Sequence, residues 1–569
     1  MKNINVLMVF WMCLISYQVS AQTIQLLDQK HQTPIINASY SYGTTRGISD
    51  NKGMIAITND QQSTLVISHL NYGQLSIPSA EIASIIQQGT IYWSRLKFEI
   101  QPVRIIALHE NLDDSLSILV NNQHRLSHDA TQVLAQVPEI ALIRKSGNYG
   151  FDPVLRGFKY EQLNIVLDGA QSANAACPNR MDTPSSQIPV NMLSQISILK
   201  GPYSLRYGNA FGGTINFQTE QATYGQTPKV NGRLSGSYES NGTIYRSEGR
   251  IGFNGSAYDI KLFGALSSGT NYEDGDGREV QSGFYRNNFG SIMNFRLNDN
   301  QNIRLNVSHN YAKDVDFPAL PMDLRKDDTW LGSIHHNTRF NGHLQTWSTS
   351  IYSTYVDHLM DNFDKPTDPR MVDAVTAAKT LNYGGRTEGH WVFDSNQLYV
   401  GADFRGDKAE GERSRHFLMG PNTGNTVYDN VWQDAAINKM GIFGEFQQNF
   451  QHWQLVYASR IEYNQAKAHK PDDAFAAYYS SMSSNTINPS FSIGINRSLS
   501  SKWRAELWLG HAQRSGSLSE RYINFLPIGV DPYEMLGNPL LDSEKTIKST
   551  LVLTIAVVQH NCNSRVSHH

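Results

Sequence analysis

Two short motifs in this sequence place soft metal ligands at close spacing. Cys177 and Met181 lie four residues apart, and His358 and Met360 lie two residues apart. Thiolate and thioether sulphur favour Cu(I), and imidazole also binds copper well. The residue types therefore suit a copper ion.

The spacing indicates how the two side chains of each motif could point in one direction. With Pro178 directly after the cysteine, Cys177 and Met181 could lie on one turn of a helix. In an extended strand residues i and i+2 share a face, so His358 and Met360 would point together. A buried cysteine is often only a small apolar residue, and methionine often fills gaps in a core. The motifs alone thus leave a packing role open.

Composition limits the class of protein that could carry these motifs. The chain has 569 residues, of which 17% are charged, and a formal net charge of -3. This balance lacks the basic surface that nucleic-acid binding requires, so no nucleic-acid partner is expected. Beyond the N-terminus no apolar run approaches the ~20 residues of a membrane-spanning helix. No nucleophile motif or phosphate loop occurs either, which predicts a protein that is not an enzyme and has no catalytic cofactor.

The first 21 residues have the pattern of a secretory signal peptide. Lys2 supplies the positive end, a largely apolar stretch follows, and residues 19–21 form a small-residue cleavage site. Cys13 lies inside this peptide. The mature chain would keep Cys177 and Cys562, which are far apart in sequence, so no disulfide framework is predicted.

Residues 221–557 alternate between apolar and polar side chains over stretches of about ten residues. One such stretch pairs apolar with polar neighbours as follows: Ile303-Arg304-Leu305-Asn306-Val307-Ser308. This period is typical of strands with one lipid face and one wet face. Short turns alternate with longer polar stretches, which we expect to be loops, at residues 267–284, 312–328, 361–385, 408–432 and 465–486. The segment is therefore predicted to form a transmembrane antiparallel β-barrel of the outer membrane.

The barrel prediction also orients the second motif. Trp347, Ile351 and Tyr355 have the opposite parity to His358 and Met360, and they make a suitable lipid face. The histidine and the methionine would then face the barrel interior.

Several short motifs follow one another between residues 127 and 220. They are Val133-Leu134-Ala135-Gln136-Val137-Pro138, Leu155-Arg156-Gly157, Val166-Leu167-Asp168-Gly169, Ile198-Leu199-Lys200-Gly201-Pro202, Tyr207-Gly208 and Gly212-Gly213-Thr214-Ile215-Asn216. In this order and at these spacings they resemble the plug domain of TonB-dependent receptors. The resemblance implies an α+β plug domain inside the β-barrel.

The region before the plug is predicted to contain a further domain. Residues 22–97 hold short β-rich runs between turn clusters, which predicts a small β-sandwich. Residues 33–38, 47–53 and 65–73 resemble the carboxypeptidase-regulatory-like domain, which has no catalytic apparatus. Residues 98–126 are then a linker. Its β-prone part, residues 98–109, could be captured by an energy-coupling protein through strand addition, or could be a plain connection.

The C-terminal region departs from the expected barrel. Residues 537–545 resemble the motif before the family's last hairpins, and residues 558–569 show no strand alternation. Because a complete barrel of this kind has about 22 strands, we expect about a third of them to be missing. The fold class is thus mainly β, with a barrel that is incomplete at the C-terminus and an anomalous tail. Unpaired backbone in hydrocarbon is costly, so such a truncated chain need not function alone.

The two ligand motifs in their contexts, residues 177–182 and 356–361, resemble the TonB-dependent outer-membrane copper receptor family. In that family a Cys-x3-Met in the plug and a His-x-Met in the barrel together bind copper. The resemblance therefore implies that the transported ion, Cu(I), binds Cys177, Met181, His358 and Met360. It also implies the outer membrane of a Gram-negative bacterium, contact with its lipid, and a TonB-type energy-coupling complex of the inner membrane as partner.

Two alternatives remain open at the level of sequence. The chain could be a siderophore, haem or cobalamin receptor whose loops bind a metal chelate. It could also be a surface or signalling protein that does not transport, or a truncated receptor without function.

Overall fold

A computed structural model describes residues 22–29, 31–57, 63–69, 72–94, 116–171, 174–201, 203–209, 211–500, 503–524, 526–527 and 534–555. The expected signal peptide, the stretch at residues 98–109, Cys562 and the tail at residues 558–569 lie outside the described residues. The chain divides into two compact units, Met1–Val103 and Arg104–His569. Within these residues the α-helices are α1 (Ser79–Gln88), α2 (Asp473–Ala476) and α3 (Leu518–Tyr522). Among the described helices, none combines the length and apolarity needed to cross a membrane.

The first unit contains the expected β-sandwich. Its strands are β1 (Gln22–Asp28), β2 (Ser39–Tyr42), β3 (Thr45–Ile48), β4 (Met54–Ile57), β5 (Leu65–His69), β6 (Gly73–Ile77) and β7 (Thr90–Trp93). They form two sheets with the orders β4-β1-β7 and β3-β2-β5-β6. Alternate side chains of the strands, such as Ile24 and Leu26 of β1, are buried in one apolar core. Burial of one face of each sheet is what stabilises a domain of this size.

The second unit begins with the small sheets of the plug. The strands are β8 (Leu116–Leu119), β9 (Ile140–Ile143), β10 (Asp152–Leu155), β11 (Phe158–Lys159), β12 (Leu163–Leu167), β13 (Ala170–Gln171), β14 (Leu193–Lys200) and β15 (Gly213–Thr219). Their sheet orders are β11-β10-β9 and β13-β12-β15-β14-β8. Short 3-10 turns lie between them at His124–Leu126, Ala130–Gln136, Tyr160–Gln162 and Val190–Met192. Every residue of β15 is buried, so this strand forms the centre of the plug.

One boundary of the sequence analysis needs correction. Leu116–Leu119, which we expected in the linker, forms β8 and pairs antiparallel with β14. The plug sheet therefore begins before residue 127. A four-residue edge strand carries too short an alternation to be recognised, although its backbone pairing completes the sheet.

The rest of the second unit is dominated by one antiparallel sheet of 14 strands in sequential order. Its strands are β16 (Lys229–Glu239), β17 (Ile244–Asn254), β18 (Tyr258–Gly269), β21 (Phe284–Asn298), β22 (Gln301–Val315), β23 (Asp323–Arg339), β24 (Leu344–Asp361), β25 (Val372–Phe393), β26 (Asn396–Phe417), β27 (Thr426–Asn449), β28 (Trp453–Ala468), β29 (Ser483–Ser498), β30 (Trp503–Arg514) and β33 (Glu544–Ile555). Two small hairpins lie in its connections. They are formed by β19 (Tyr272–Glu273) with β20 (Glu279–Val280) and by β31 (Leu526–Pro527) with β32 (Glu534–Met535).

The predicted alternation of the barrel strands is confirmed. Leu507 and Leu509 of β30 are exposed on the outer face, whereas Trp508 between them is buried. The Trp508 ring stacks on Tyr203 of the plug with 5.0 Å between the ring centroids. The inner face of the sheet thus packs against the plug, as the fold class predicted.

The predicted loops were too long. Residues 372–385 and 408–417 were expected in loops, yet they belong to β25 and β26, which have 22 residues each. Hydrogen bonds between neighbouring strands continue beyond the apolar outer band, so polar residues still extend the ladder. Apolar alternation therefore marks the part of a strand that has an apolar outer face and not its full length.

Candidate metal centre

The barrel supplies half of the predicted ligands from the end of β24. His358 and Met360 both point inward and are buried, while Trp347, Ile351 and Tyr355 are exposed on the outer face. The predicted parity is confirmed. Because β24 is hydrogen-bonded along its length to β23 and β25, the positions of the two side chains follow from the strand register.

The plug supplies the other half from an irregular loop after β13, and not from a helical turn as the spacing suggested. The Arg180 amide donates to the Cys177 carbonyl at 2.8 Å, which closes a four-residue turn. Arg180 then has a positive φ of 56°, so the chain reverses before Met181. Pro178 favours the second position of such a turn, and this preference outweighs helix formation. The loop still directs both Cys177 and Met181 into the interior.

A buried carboxylate holds the cysteine end of this loop. The two oxygens of Asp182 accept hydrogen bonds from the backbone amides of Ala176, at 2.6 Å, and of Cys177, at 2.9 Å. Burial raises the pKa of Asp182 to about 6. Charge-assisted bonds to two amides are strong in a buried site, so Asp182 fixes the backbone that carries the thiol.

The other end of the turn is held by ionic contacts within the plug. Lys145 donates to the carbonyls of Asn179, at 2.8 Å, and Arg180, at 3.0 Å. The Asp152 carboxylate forms ion pairs with both cations, at 3.1 Å from Lys145 and 2.9 Å from Arg180. The loop is therefore fixed within the plug at both of its ends.

The three barrel strands that follow β24 in the sheet also contact this loop. The Trp432 indole of β27 donates to the Ala176 carbonyl at 2.8 Å. Thr380 of β25 donates to the Asn174 carbonyl at 3.2 Å, and Arg405 of β26 donates to the Asn174 side chain at 2.7 Å. Because these hydrogen bonds join plug to barrel, the loop cannot move away from β24 without breaking them.

The two halves meet in one buried cluster. The four predicted ligands, Cys177, Met181, His358 and Met360, are all at most 4% exposed and are called the four-ligand cluster below. The sulphur atoms of Cys177 and Met360, 183 residues apart in the chain, are 3.6 Å apart. The ligand atoms of Cys177, His358 and Asp182 all lie within 4.8 Å of one another. Met181 packs in the same group of buried side chains as the cysteine and Met360.

The histidine in this cluster is unusual for a buried polar side chain. Neither ring nitrogen of His358 has a hydrogen-bond partner, although the residue is fully buried. A buried polar atom without a partner is costly, and its presence in a native site calls for an explanation. Coordination of a metal ion by a ring nitrogen would satisfy this side chain, and the nearby sulphur atoms have the softness that copper prefers.

A turn between β22 and β23 covers the cluster. Phe317 is fully buried against it, and Leu320 and Met322 pack on the same group. Lys365 fixes this turn by donating to the Phe317 carbonyl at 2.7 Å and by pairing with Asp323 at 2.6 Å. The covering residues are mostly apolar, so an ion that reaches the cluster must exchange its water shell for protein ligands.

Sequence reasoning missed three residues that shape this centre. Asp182 was not singled out, although it directly follows the first motif. Asp327 of β23 lies opposite His358 in the strand register, and only the pairing of the strands reveals this. Gly150 has a φ of 73°, and a Cβ there would lie 2.6 Å from the Met181 carbonyl oxygen and 3.0 Å from the Phe317 ring. A lone glycine gave no signal of this close approach.

A comparison with models of known protein families identifies the plug. Residues 121–214 match the model of the TonB-dependent receptor plug domain. The chain carries a TonB-dependent receptor plug domain. This domain contains Cys177 and Met181, while the barrel strand β24 contributes His358 and Met360.

Several solved structures have a similar fold. The copper transporter OprC is similar over 78% of this chain and 70% of its own, with 22% identity and a TM-score of 0.68. The Serratia marcescens hemophore receptor HasR, solved as a double mutant with its hemophore HasA and haem, is similar over 77% and 69%, with 14% identity and a TM-score of 0.58. The siderophore receptor PirA from Acinetobacter baumannii is similar over 79% of this chain and 69% of its own, with 14% identity and a TM-score of 0.56. At these identities the likeness shows the fold alone, a plug domain packed against a large antiparallel barrel sheet.

Proposed function

We propose that this protein is a TonB-dependent outer-membrane receptor that binds copper, as Cu(I), and imports it. The observation that supports this most directly is the meeting of the four-ligand cluster, since two motifs 183 residues apart bring two sulphur atoms within 3.6 Å. Thiolate, thioether and imidazole form a donor set that suits Cu(I) and not a hard cation such as Mg²⁺. Copper is the cargo in this proposal, and the protein performs no catalysis.

The division of the ligands between plug and barrel suggests how a tightly held ion is released. Cys177 and Met181 belong to the plug, and His358 and Met360 belong to β24. Energy delivered by a TonB-type complex of the inner membrane would displace the plug loop from the strand. Each part alone keeps two of the four ligands, so the ion would lose much of its binding free energy when the parts separate.

The remaining parts of the chain have supporting roles in this proposal. Residues 22–97 are assigned to a carboxypeptidase-regulatory-like domain, and the stretch between that domain and β8 to the linker that reaches the energy-coupling protein. Residues 127–220, together with the β8 edge strand, form the plug. Residues 221–557 form the barrel wall that contacts outer-membrane lipid through its apolar face.

Metal analysis of the purified outer-membrane protein tests the proposal. The full chain, loaded with Cu(I) under reducing conditions and desalted, is expected to retain one equivalent of copper. The double variant Cys177→Ala/Met360→Ala removes one ligand from each part and is expected to retain none. Folding is checked by the shift in gel mobility between unheated and heated barrel.

A matched control removes two exposed methionines that do not belong to the cluster. Met371 and Met440 are 50% and 57% exposed, and Met371→Ala/Met440→Ala is expected to retain copper like the wild type. A well-folded wild-type barrel that retains no copper would contradict the proposal and favour a receptor for a siderophore, haem or cobalamin.

A further inference from the structure

The fully buried imidazole of His358 has one charged neighbour on the next strand. Asp327 of β23 lies opposite His358 in the register, and its Oδ2 atom is 3.6 Å from the His358 Nδ1 atom. Asp327 is 2% exposed, so water competes little with this contact. The carboxylate and the ring are close enough for a hydrogen bond to form after a small adjustment.

Two hydroxyl groups fix the position of this carboxylate. Thr329 of β23 donates to Oδ1 at 2.7 Å, and Tyr149 of the plug donates to Oδ2 at 3.1 Å. The Arg286 guanidinium lies over the Tyr149 ring at 5.0 Å from its centroid. A carboxylate has about four acceptor positions, so Asp327 can accept a further hydrogen bond from the imidazole.

We propose that Asp327 is a positioning residue that selects the ring nitrogen with which His358 binds copper. A neutral imidazole carries one N–H and one lone pair. If Asp327 accepts the Nδ1 proton, the lone pair lies on Nε2, and the ring is held at the angle that the metal requires. Histidine ligands of metals almost always donate their other ring nitrogen in this way. The inference rests on the proposed copper function and deepens it.

Tyr149 extends this role across the boundary between plug and barrel. The carboxylate belongs to the barrel, whereas one of its two donors belongs to the plug. Displacement of the plug would remove the Tyr149 hydroxyl from Asp327 at the same time as it removes the two sulphur ligands. The orientation of the histidine and the completeness of the ligand set are therefore coupled.

A double-mutant cycle separates this role from general support of the fold. Cu(I) affinity is measured by competition with a chromophoric Cu(I) chelator for the wild type, Asp327→Ala, His358→Ala and the double variant. Asp327→Ala is expected to lower the affinity by about 10–100-fold, as is typical when the partner of a histidine ligand is lost. In the His358→Ala background the same change is expected to alter the affinity by less than about twofold, because the ring that it positions is gone.

Further variants grade the effect and control for folding. Asp327→Asn keeps an oxygen acceptor and is expected to fall between the wild type and Asp327→Ala, and it also serves if the alanine variant does not fold. Tyr149→Phe is expected to cost less than Asp327→Ala. Asp328→Ala removes the neighbouring carboxylate, which binds His309 at 2.8 Å, and is expected to match the wild type.

The outcomes distinguish this inference from the proposed function. A wild type that binds copper while Asp327→Ala and Asp327→Asn bind equally well overturns the positioning role alone. An equal loss in both His358 backgrounds also overturns it, because it would show general structural support. A folded wild type without copper affinity overturns the proposed function and the inference with it.

Discussion

The two halves of the proposed copper centre are built in different ways. On the barrel side, β24 is paired along its length with β23 and β25, and the ligands take their positions from an ordinary strand register. On the plug side, the ligands lie on a loop without regular structure, which is held by individual side chains from Asp182, Lys145 and Trp432. The barrel half is therefore fixed by the regular hydrogen bonds of the sheet, and the plug half by a few specific contacts.

This difference indicates which half moves when the centre is broken. A strand within a wide sheet can shift only if many backbone hydrogen bonds break together. The loop depends on a small number of contacts, of which those from Trp432, Thr380 and Arg405 cross from barrel to plug. A force on the plug would therefore open the centre at the loop, while His358 and Met360 keep their places.

The largest effect is expected when the histidine of the barrel half is moved from the inner to the outer face of β24. The double variant His358→Leu/Leu359→His keeps the composition of β24 but moves the imidazole to the outer face. Loss of a ligand should exceed the usual effect of losing its partner, so Cu(I) affinity should fall by about 100-fold or more. Chelator competition measures this fall.

The single variant Leu359→His is the matched control. It adds an imidazole to the outer face and leaves His358 in place, so it is expected to bind copper like the wild type. If the double variant retained wild-type affinity, either the imidazole would not be a ligand or the strand register would not be fixed.

A smaller but still large effect is expected on the plug side from Asp182→Ala. The amides of Ala176 and Cys177 would lose their acceptor inside a buried site, which costs about 1–3 kcal/mol for each group. If part of this cost falls on the bound conformation, Cu(I) affinity should drop by roughly 10–100-fold. Modification of Cys177 by a maleimide, followed by peptide mass analysis, should become faster because the released loop exposes the thiol.

The control for this variant removes a carboxylate next to the barrel ligand. Asp357 pairs with Lys326 at 2.7 Å and is partly exposed. Surface ion pairs contribute about 0–1 kcal/mol, so Asp357→Ala should change neither affinity nor thiol modification. Unchanged reactivity of Cys177 in Asp182→Ala would show that other contacts suffice to hold the loop, against the contrast drawn between the two halves.

The same contrast explains what could be predicted from the sequence. The parity of His358 and Met360 was predictable, because a strand repeats every two residues and the apolar side chains Trp347 and Ile351 mark its outer face. The conformation of the Cys177 loop was not predictable, since Pro178 is compatible with the first turn of a helix and with a β-turn.

Residues that act through long-range contacts were also beyond sequence reasoning. The proximity of Asp327 to His358 follows only from the pairing of β23 with β24. Trp432 lies 256 residues from the carbonyl that it contacts. Apolar alternation located the barrel strands but underestimated their length, because hydrogen bonding between strands continues where the side chains become polar.

The smallest effect is expected from Trp432→Phe, which tests the hydrogen bond from the barrel wall to the loop. Phenylalanine keeps most of the buried ring but cannot donate to the Ala176 carbonyl, and the loss of such a bond costs about 0.5–1.5 kcal/mol. Cu(I) affinity should fall by about two- to tenfold, with a moderate increase in Cys177 modification. Trp347→Phe is the matched control, because its indole donates to Thr387 at 2.9 Å on the outer face, remote from the loop. Equal effects of the two substitutions would mean that the Trp432 bond does not hold the plug half, so that the loop depends on contacts within the plug alone.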